Sequence, residues 1–169
     1  MDDRQCLEAI VAGDDTGLRL LHERHLPWLR ARLFRRCADH DLVDQAIQDT
    51  FVAVWRSARR YEGRGDVGAW MWGIAIRKLI DLRRATKHQP MVDVQPEPSA
   101  EDMMLDLDLR HSDIGTALAQ LPEELIGVVV ATVIDGLTGP EAAVLLGIPE
   151  GTVRSRLHRA RQLLAEALA

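Results

Sequence analysis

Residues 138–164 read TGPEAAVLLGIPEGTVRSRLHRARQLL, and this stretch decides the fold of the second half of the chain. Thr138 followed three residues later by Glu141 is a capping-box pattern, which predicts a helix start at that point. Gly147 can take the left-handed backbone that ends such a helix. Pro149, with φ already fixed near its helical value, suits the first turn of a second helix. Ala143 is small where two helix axes must approach, and Ile148 and Val153 are apolar where the turn must be pinned to a core. A capped helix, a tight glycine turn and a second helix in this register spell helix-turn-helix.

Placed at 100° per residue, Val153, Leu157, Ala160 and Leu164 share one side of the second helix. Ser155, His158, Arg159 and Gln162 fall opposite, flanked by Arg154, Arg156 and Arg161. Four arginines and no acid lie between Gly151 and Arg161. Guanidinium groups and short hydrogen-bonding side chains on one face can hold phosphates and read base edges in a major groove. The plainer alternative is a solvated basic helix without a ligand. The register of cap, turn and arginine face favours DNA.

Working outward, the chain of 169 residues is 47% apolar and nearly free of strand signals, which predicts an all-α protein. Two cysteines, Cys6 and Cys37, are too few for a disulfide framework and are expected reduced. No signal-peptide pattern opens the chain and no apolar run reaches membrane length, so a cytoplasmic protein is expected. The net charge of −5 resolves unevenly along the sequence. Residues 56–90 carry 9 basic and 3 acidic side chains, whereas residues 91–125 carry 1 and 9. A basic segment, an acidic segment and the arginine helix follow in that order. A partner that was only duplex DNA would gain little from the acidic middle, which points to a different, basic environment there.

The acidic middle, HQPMVDVQPEPSAEDMMLDLD from His88, holds Pro90, Pro96 and Pro98 and reads as an extended linker. The organisation expected is two small helical domains, 1–88 and 108–169, joined by an acidic, proline-containing linker at 89–107, the second domain carrying the helix-turn-helix. Before the linker, a short helix over 3–12 ends at Gly13. A longer one over about 14–36 follows, with Leu18, Leu21, Leu29 and Leu33 on its apolar side and a kink expected at Pro27. His22, His25, Cys37 and His40 have zinc-like spacing, but the two pairs sit at opposite ends of this helix and need not converge. No metal and no cofactor is expected.

A helix over about 41–60 places Val43, Ala46, Ile47, Thr50 and Val54 in a core stripe, with Asp41, Asp44, Gln48, Val52 and Trp55 opposite. A tryptophan beside carboxylates either folds back onto its own domain or forms a docking face for a basic partner. The loop YEGRGD (61–66) then leads into AWMWGIAIRKLIDLRR. There Met71, Ala75, Leu79 and Leu82 make the core side. Trp70, Gly73, Arg77, Asp81 and Arg84 lie on another, with Lys78 at its margin. An aromatic and arginines on one helix face suit unstacked bases and single-stranded backbone, and Tyr61 is placed to help form a pocket for a flipped base. Trp72 is assigned to the core. After the linker, helix resumes over about 108–121, and Pro122 opens a buried helix that ends at Gly136 despite the β-branched run Val128, Val129, Val130.

The phrases VDQAIQDTFVAVWR, YEGRGDVGAWMWGIA, LPEELIGVVV and GLTGPEAAVLLGIPEGTVRSRLHRAR, in this order, resemble the extracytoplasmic-function (ECF) sigma factors of bacterial RNA polymerase, and the resemblance covers essentially the whole chain. It implies that Asp44, Gln48, Asp49 and Trp55 dock on the polymerase clamp. It implies that Tyr61, Arg64, Asp66, Trp70, Arg77, Lys78 and Arg84 melt and read a −10 element. It further implies that Thr152, Arg154, Ser155, His158, Arg159 and Gln162 read a −35 duplex. Core RNA polymerase (clamp and flap regions), promoter DNA and an anti-sigma factor are the partners implied, and the acidic linker would thread toward the polymerase's basic interior. Arg77 stands where the family usually has asparagine, Ile76 where it has arginine, Gln45 for aspartate and Val144 for glutamate. The competing reading is a stand-alone helix-turn-helix repressor or activator. An enzyme is not expected, since no phosphate loop, catalytic triad or HExxH phrase is present.

Overall fold

The computed structural model describes residues 1–62, 66–86 and 113–167, and among them all regular structure is helical. The chain divides into two compact units, Met1–Ala85 and Thr86–Ala169. The segment expected to be a linker, 89–107, lies outside the described residues.

In the first unit, α1 (Asp3–Val11) and α2 (Thr16–Phe34) pack against each other, and α3 (His40–Ser57) packs on α2. Asp2 caps α1 in a full capping box with Gln5, and Gly13, at φ 85°, turns the chain toward α2. The approach of α1 to α2 depends on Gly17, where an added Cβ would collide with the Cys6 carbonyl oxygen. α2 runs through Pro27 as one helix. Its core residues are Leu21, Leu29 and Leu33, while Leu18 is only half-buried. Burying each such leucine contributes about 1.5–3 kcal/mol relative to leaving it in water.

α3 buries Val43, Ala46, Ile47, Thr50 and Val54 as the period predicts, and Phe51 with them. The Thr50 hydroxyl donates to the Ala46 carbonyl at 2.6 Å, so this buried polar group is satisfied. The helix does not continue to residue 60 as one α-helix. The Ser57 hydroxyl bonds back to Ala53 at 2.6 Å, and the chain tightens into a 3₁₀ turn over Ala58–Arg60. α4 (Val67–Thr86) buries Met71, Ala75 and Leu79 as expected. It also buries Trp72, Ile76 and Ile80, while Leu82 is half-buried. The Trp72 ring meets Trp28 of α2 edge-on at 6.2 Å, and the Arg32 guanidinium lies 4.3 Å from its centroid. The core assignment of Trp72 therefore holds, and its partner is a cation–aromatic stack.

In the second unit, α5 (Asp113–Ala119) precedes α6 (Glu123–Val129), for which Pro122 is the N-cap. The β-branched run stays helical and buried, but it widens into one π turn over Val130–Ile134, closed by the Asp135 N–H donating to the Val130 carbonyl at 2.9 Å. Stiff β-branched side chains crowd the preceding turn of an α-helix, and a wider turn relieves that crowding. α7 (Gly139–Leu146) and α8 (Glu150–Ala167) complete the unit. Leu118, Leu121, Leu125, Ile126, Val129 and Val130 form its core with Ala160 of α8, and Leu157 and Leu164 pack at the margin. Among the described residues no helix is long and apolar enough to cross a membrane.

Candidate nucleic-acid interface

The helix-turn-helix is built as its sequence dictates. Glu141 accepts the Thr138 N–H at 2.8 Å, and the Thr138 hydroxyl accepts the Glu141 N–H at 3.4 Å. Gly147 ends α7 at φ 66°, ψ 23°, in the left-handed region. Two details differ from the sequence expectation. Pro149 stands just before α8, where its carbonyl accepts the N–H groups of Thr152 and Val153 at 2.9 and 3.1 Å, so it acts as a cap and not as a first-turn residue. The small residue sealed in the interior is Ala142, while Ala143 is half-buried. Val144 is half-buried as well.

α8 buries Val153 and Ala160 and leaves Arg154, Ser155, His158, Arg159, Arg161 and Gln162 in solvent. Thr152 and Arg156 are half-buried at its edges. Arg154 pairs with Glu150 one turn back at 3.1 Å, an exposed i,i+4 contact that holds the guanidinium near the start of the helix at little energetic cost. An 18-residue helix of this kind, with arginines exposed along one face, has the dimensions and chemistry of a major-groove reader.

In the first unit, α4 presents the second basic face. Tyr61 and Trp70 are half-buried against each other, ring centroids 5.3 Å apart and planes at 55°. Asp66 caps the start of α4, its carboxylate accepting the Ala69 N–H at 3.0 Å. Gly73, Arg77, Lys78 and Asp81 continue along the same side, with Arg84 paired to Asp81 at 3.6 Å. Arg64 lies outside the described residues. Arg56, Arg59 and Arg60 were not singled out from the sequence, yet all three are exposed immediately before Tyr61. The surplus of positive charge over residues 56–90 was the signal that could have found them.

The third face belongs to α3. Trp55 is 52% exposed and Val52 45%, on the side that carries Asp41, Asp44 and Gln48, so Trp55 is not folded into its own unit. Asp49 is half-buried, and Asp44 pairs with Arg30 of α2 at 3.2 Å. The residues with zinc-like spacing each have separate neighbours. His22 stacks on Phe51 at 4.6 Å, His40 lies 4.5 Å from Phe34, and His25 bonds Asp3 at 2.7 Å. Cys37 is buried.

The family model described as Sigma-70 region 2 matches residues 21–89, and the one described as Sigma-70, region 4 matches residues 111–164. The chain is similar to the ECF RNA polymerase sigma factor SigM of Mycobacterium tuberculosis, at 34% identity over 98% of this chain and 84% of that one. It is also similar to the ECF RNA polymerase sigma-E factor of Haemophilus influenzae, at 24% identity over 97% of this chain and 94% of that one. Among solved structures, CnrH in complex with the cytosolic domain of CnrY aligns with a TM-score of 0.47 and 26% identity, over 98% of this chain and 96% of that one. With a relative above 30% identity aligned along nearly its whole length, the chain belongs to the ECF RNA polymerase sigma factors.

Proposed function

We propose that this sigma factor joins core RNA polymerase through the exposed side of α3, opens and reads the −10 element with α4 and the loop before it, and reads the −35 duplex with α8. In this reading residues 1–88 form the melting and docking domain, 89–107 a linker and 108–169 the −35 domain. Asp44, Gln48, Asp49 and Trp55 meet the polymerase clamp, whose basic residues complement the carboxylates. Tyr61, Arg64, Asp66, Trp70, Arg77, Lys78 and Arg84 serve the −10 element, the aromatics stacking on unpaired bases and the cations holding phosphates. Thr152, Arg154, Ser155, His158, Arg159 and Gln162 enter the −35 major groove. The flap region of polymerase takes the second domain. An anti-sigma factor is the regulator that the family implies, and the chain works in the cytoplasm with the polymerase.

The observation that carries this reading is the clean division of α8, with Val153 and Ala160 sealed in the core and Arg154, Ser155, His158, Arg159 and Gln162 all in solvent. Family membership favours a polymerase subunit over a stand-alone repressor or activator. Gel filtration with core polymerase tests it: the chain co-elutes with the core enzyme at micromolar concentration, whereas elution as a separate peak refutes the docking assignment.

A further inference from the structure

α4 carries a groove of about 500 Å³ on the side away from its core, lined by Trp70, Gly73, Ile74, Arg77, Lys78 and Asp81. Ile74 supplies an apolar floor and Trp70 a flat wall, which suit the face of one unstacked base. The polar rim is less general. Nη1 of Arg77, an exposed residue, donates to the Gly73 carbonyl at 2.9 Å, which turns the guanidinium back toward the start of α4. A Cβ at Gly73 would stand 3.3 Å from the same Nη1, a contact that the flexible end of the arginine relieves by a small shift. Lys78 adds a second cation at the margin, and one turn beyond Arg77 the Asp81 carboxylate is held by Arg84 at 3.6 Å.

We propose that this groove selects guanine in the opened strand and that Arg77 is the residue that reads it, an inference that rests on the −10 reading above. Guanine presents two neighbouring acceptors, O6 and N7, to a guanidinium fork, and its N1–H and N2 amino group can donate to a carboxylate. Adenine turns an amino donor toward the cations where guanine has O6. Thymine has no exocyclic amine for Asp81. Cytosine can donate N4–H to Asp81 but lacks the paired O6/N7 acceptors that the fork takes. A purine also covers more of the Trp70 ring than a pyrimidine.

The experiment is open-complex formation by holoenzyme on a promoter it uses, with each position of the −10 element replaced in turn by all four bases. The wild-type protein shows one position at which guanine is favoured over adenine by roughly 5- to 150-fold, the span of a good bidentate base contact. Arg77→Ala removes that preference and leaves the others unchanged. Arg77→Lys keeps the positive charge but removes the planar fork, and weakens the same preference. A preference for cytosine or adenine at the Arg77-sensitive position overturns the proposal. So does an equal loss on all four bases, which would mark a phosphate contact. Failure of every template to open counts against the −10 reading itself, whereas opening with no guanine preference overturns the proposal for this groove and leaves that reading standing.

Discussion

The rings of Tyr61 and Trp70 lie 5.3 Å apart across the start of α4, joining the 3₁₀ turn that closes α3 to the helix that follows. Ala58, buried at the base of that turn, fixes the backbone beneath Tyr61, whose N–H donates to the Ala58 carbonyl at 3.2 Å. Arg59 and Arg60, both exposed, immediately precede Tyr61 in the chain. Trp70→Ala should slow promoter opening by roughly 5- to 150-fold, the loss of one base stack of about 1–3 kcal/mol, with thermal unfolding little changed. Stopped-flow fluorescence of a base analogue in the −10 element measures it. Normal opening would remove Trp70 from the strand path.

Trp55 is half in solvent and contributes little to the core. Trp55→Ala should therefore weaken assembly with core polymerase by at least about tenfold, in line with aromatic hot spots, while circular dichroism and Tm stay near wild type. Loss of the fold would return Trp55 to a structural role.

Arg159 projects from the middle of the solvent face of α8. Arg159→Ala should lower transcription from a promoter that depends on its upstream element by about 1–3 kcal/mol if the contact is to a base, and relax selectivity there. A phosphate contact would instead reduce the salt slope with selectivity retained. Transcription assays at two salt concentrations separate the two, and unchanged output at both removes Arg159 from the interface.

Asp3 ties α1 to α2 by accepting from Arg24 and from the His25 ring nitrogen, the latter at 2.7 Å. Partial burial pushes its carboxyl upward, but the hydrogen bonds and charges of Arg24 and His25 together outweigh this and hold it below the ordinary aspartate value. A depressed folded-state pKa means the contribution is complete above the unfolded value of about 4. It drains away as pH falls through the lower folded value. Asp3→Asn should cost on the order of 1 kcal/mol at pH 7 and flatten the acid limb of the stability curve. Urea unfolding from pH 7 to pH 3 reads this directly, and parallel curves for the two proteins would contradict it.

The second unit was the more legible in sequence, because its signals are local. Thr138, Glu141 and Gly147 act within one turn of themselves, and the alternation of Val153 and Ala160 with arginines needs only the helical period. The first unit yielded its core stripes for the same reason. What periodicity could not supply was set by neighbours distant in sequence or by backbone geometry. Trp72 on Trp28 and Arg32 joins two helices, and the 3₁₀ turn that exposes Arg59 and Arg60 arises where the Ser57 hydroxyl bonds back to Ala53. The π turn at Val130 expresses steric crowding that a hydrophobic pattern does not encode. The exposure of Trp55 likewise depends on how α3 packs, which its own helical period does not fix.

The most direct test of the account is in vitro transcription with purified core polymerase, compared with duplex binding by the isolated chain on the same promoter. The account predicts a discrete start site only when both proteins are present, with the chain alone holding the duplex weakly and giving no protected half-sites. Tight, sequence-specific binding by the chain alone, unaffected by core polymerase and yielding no transcript, would contradict it.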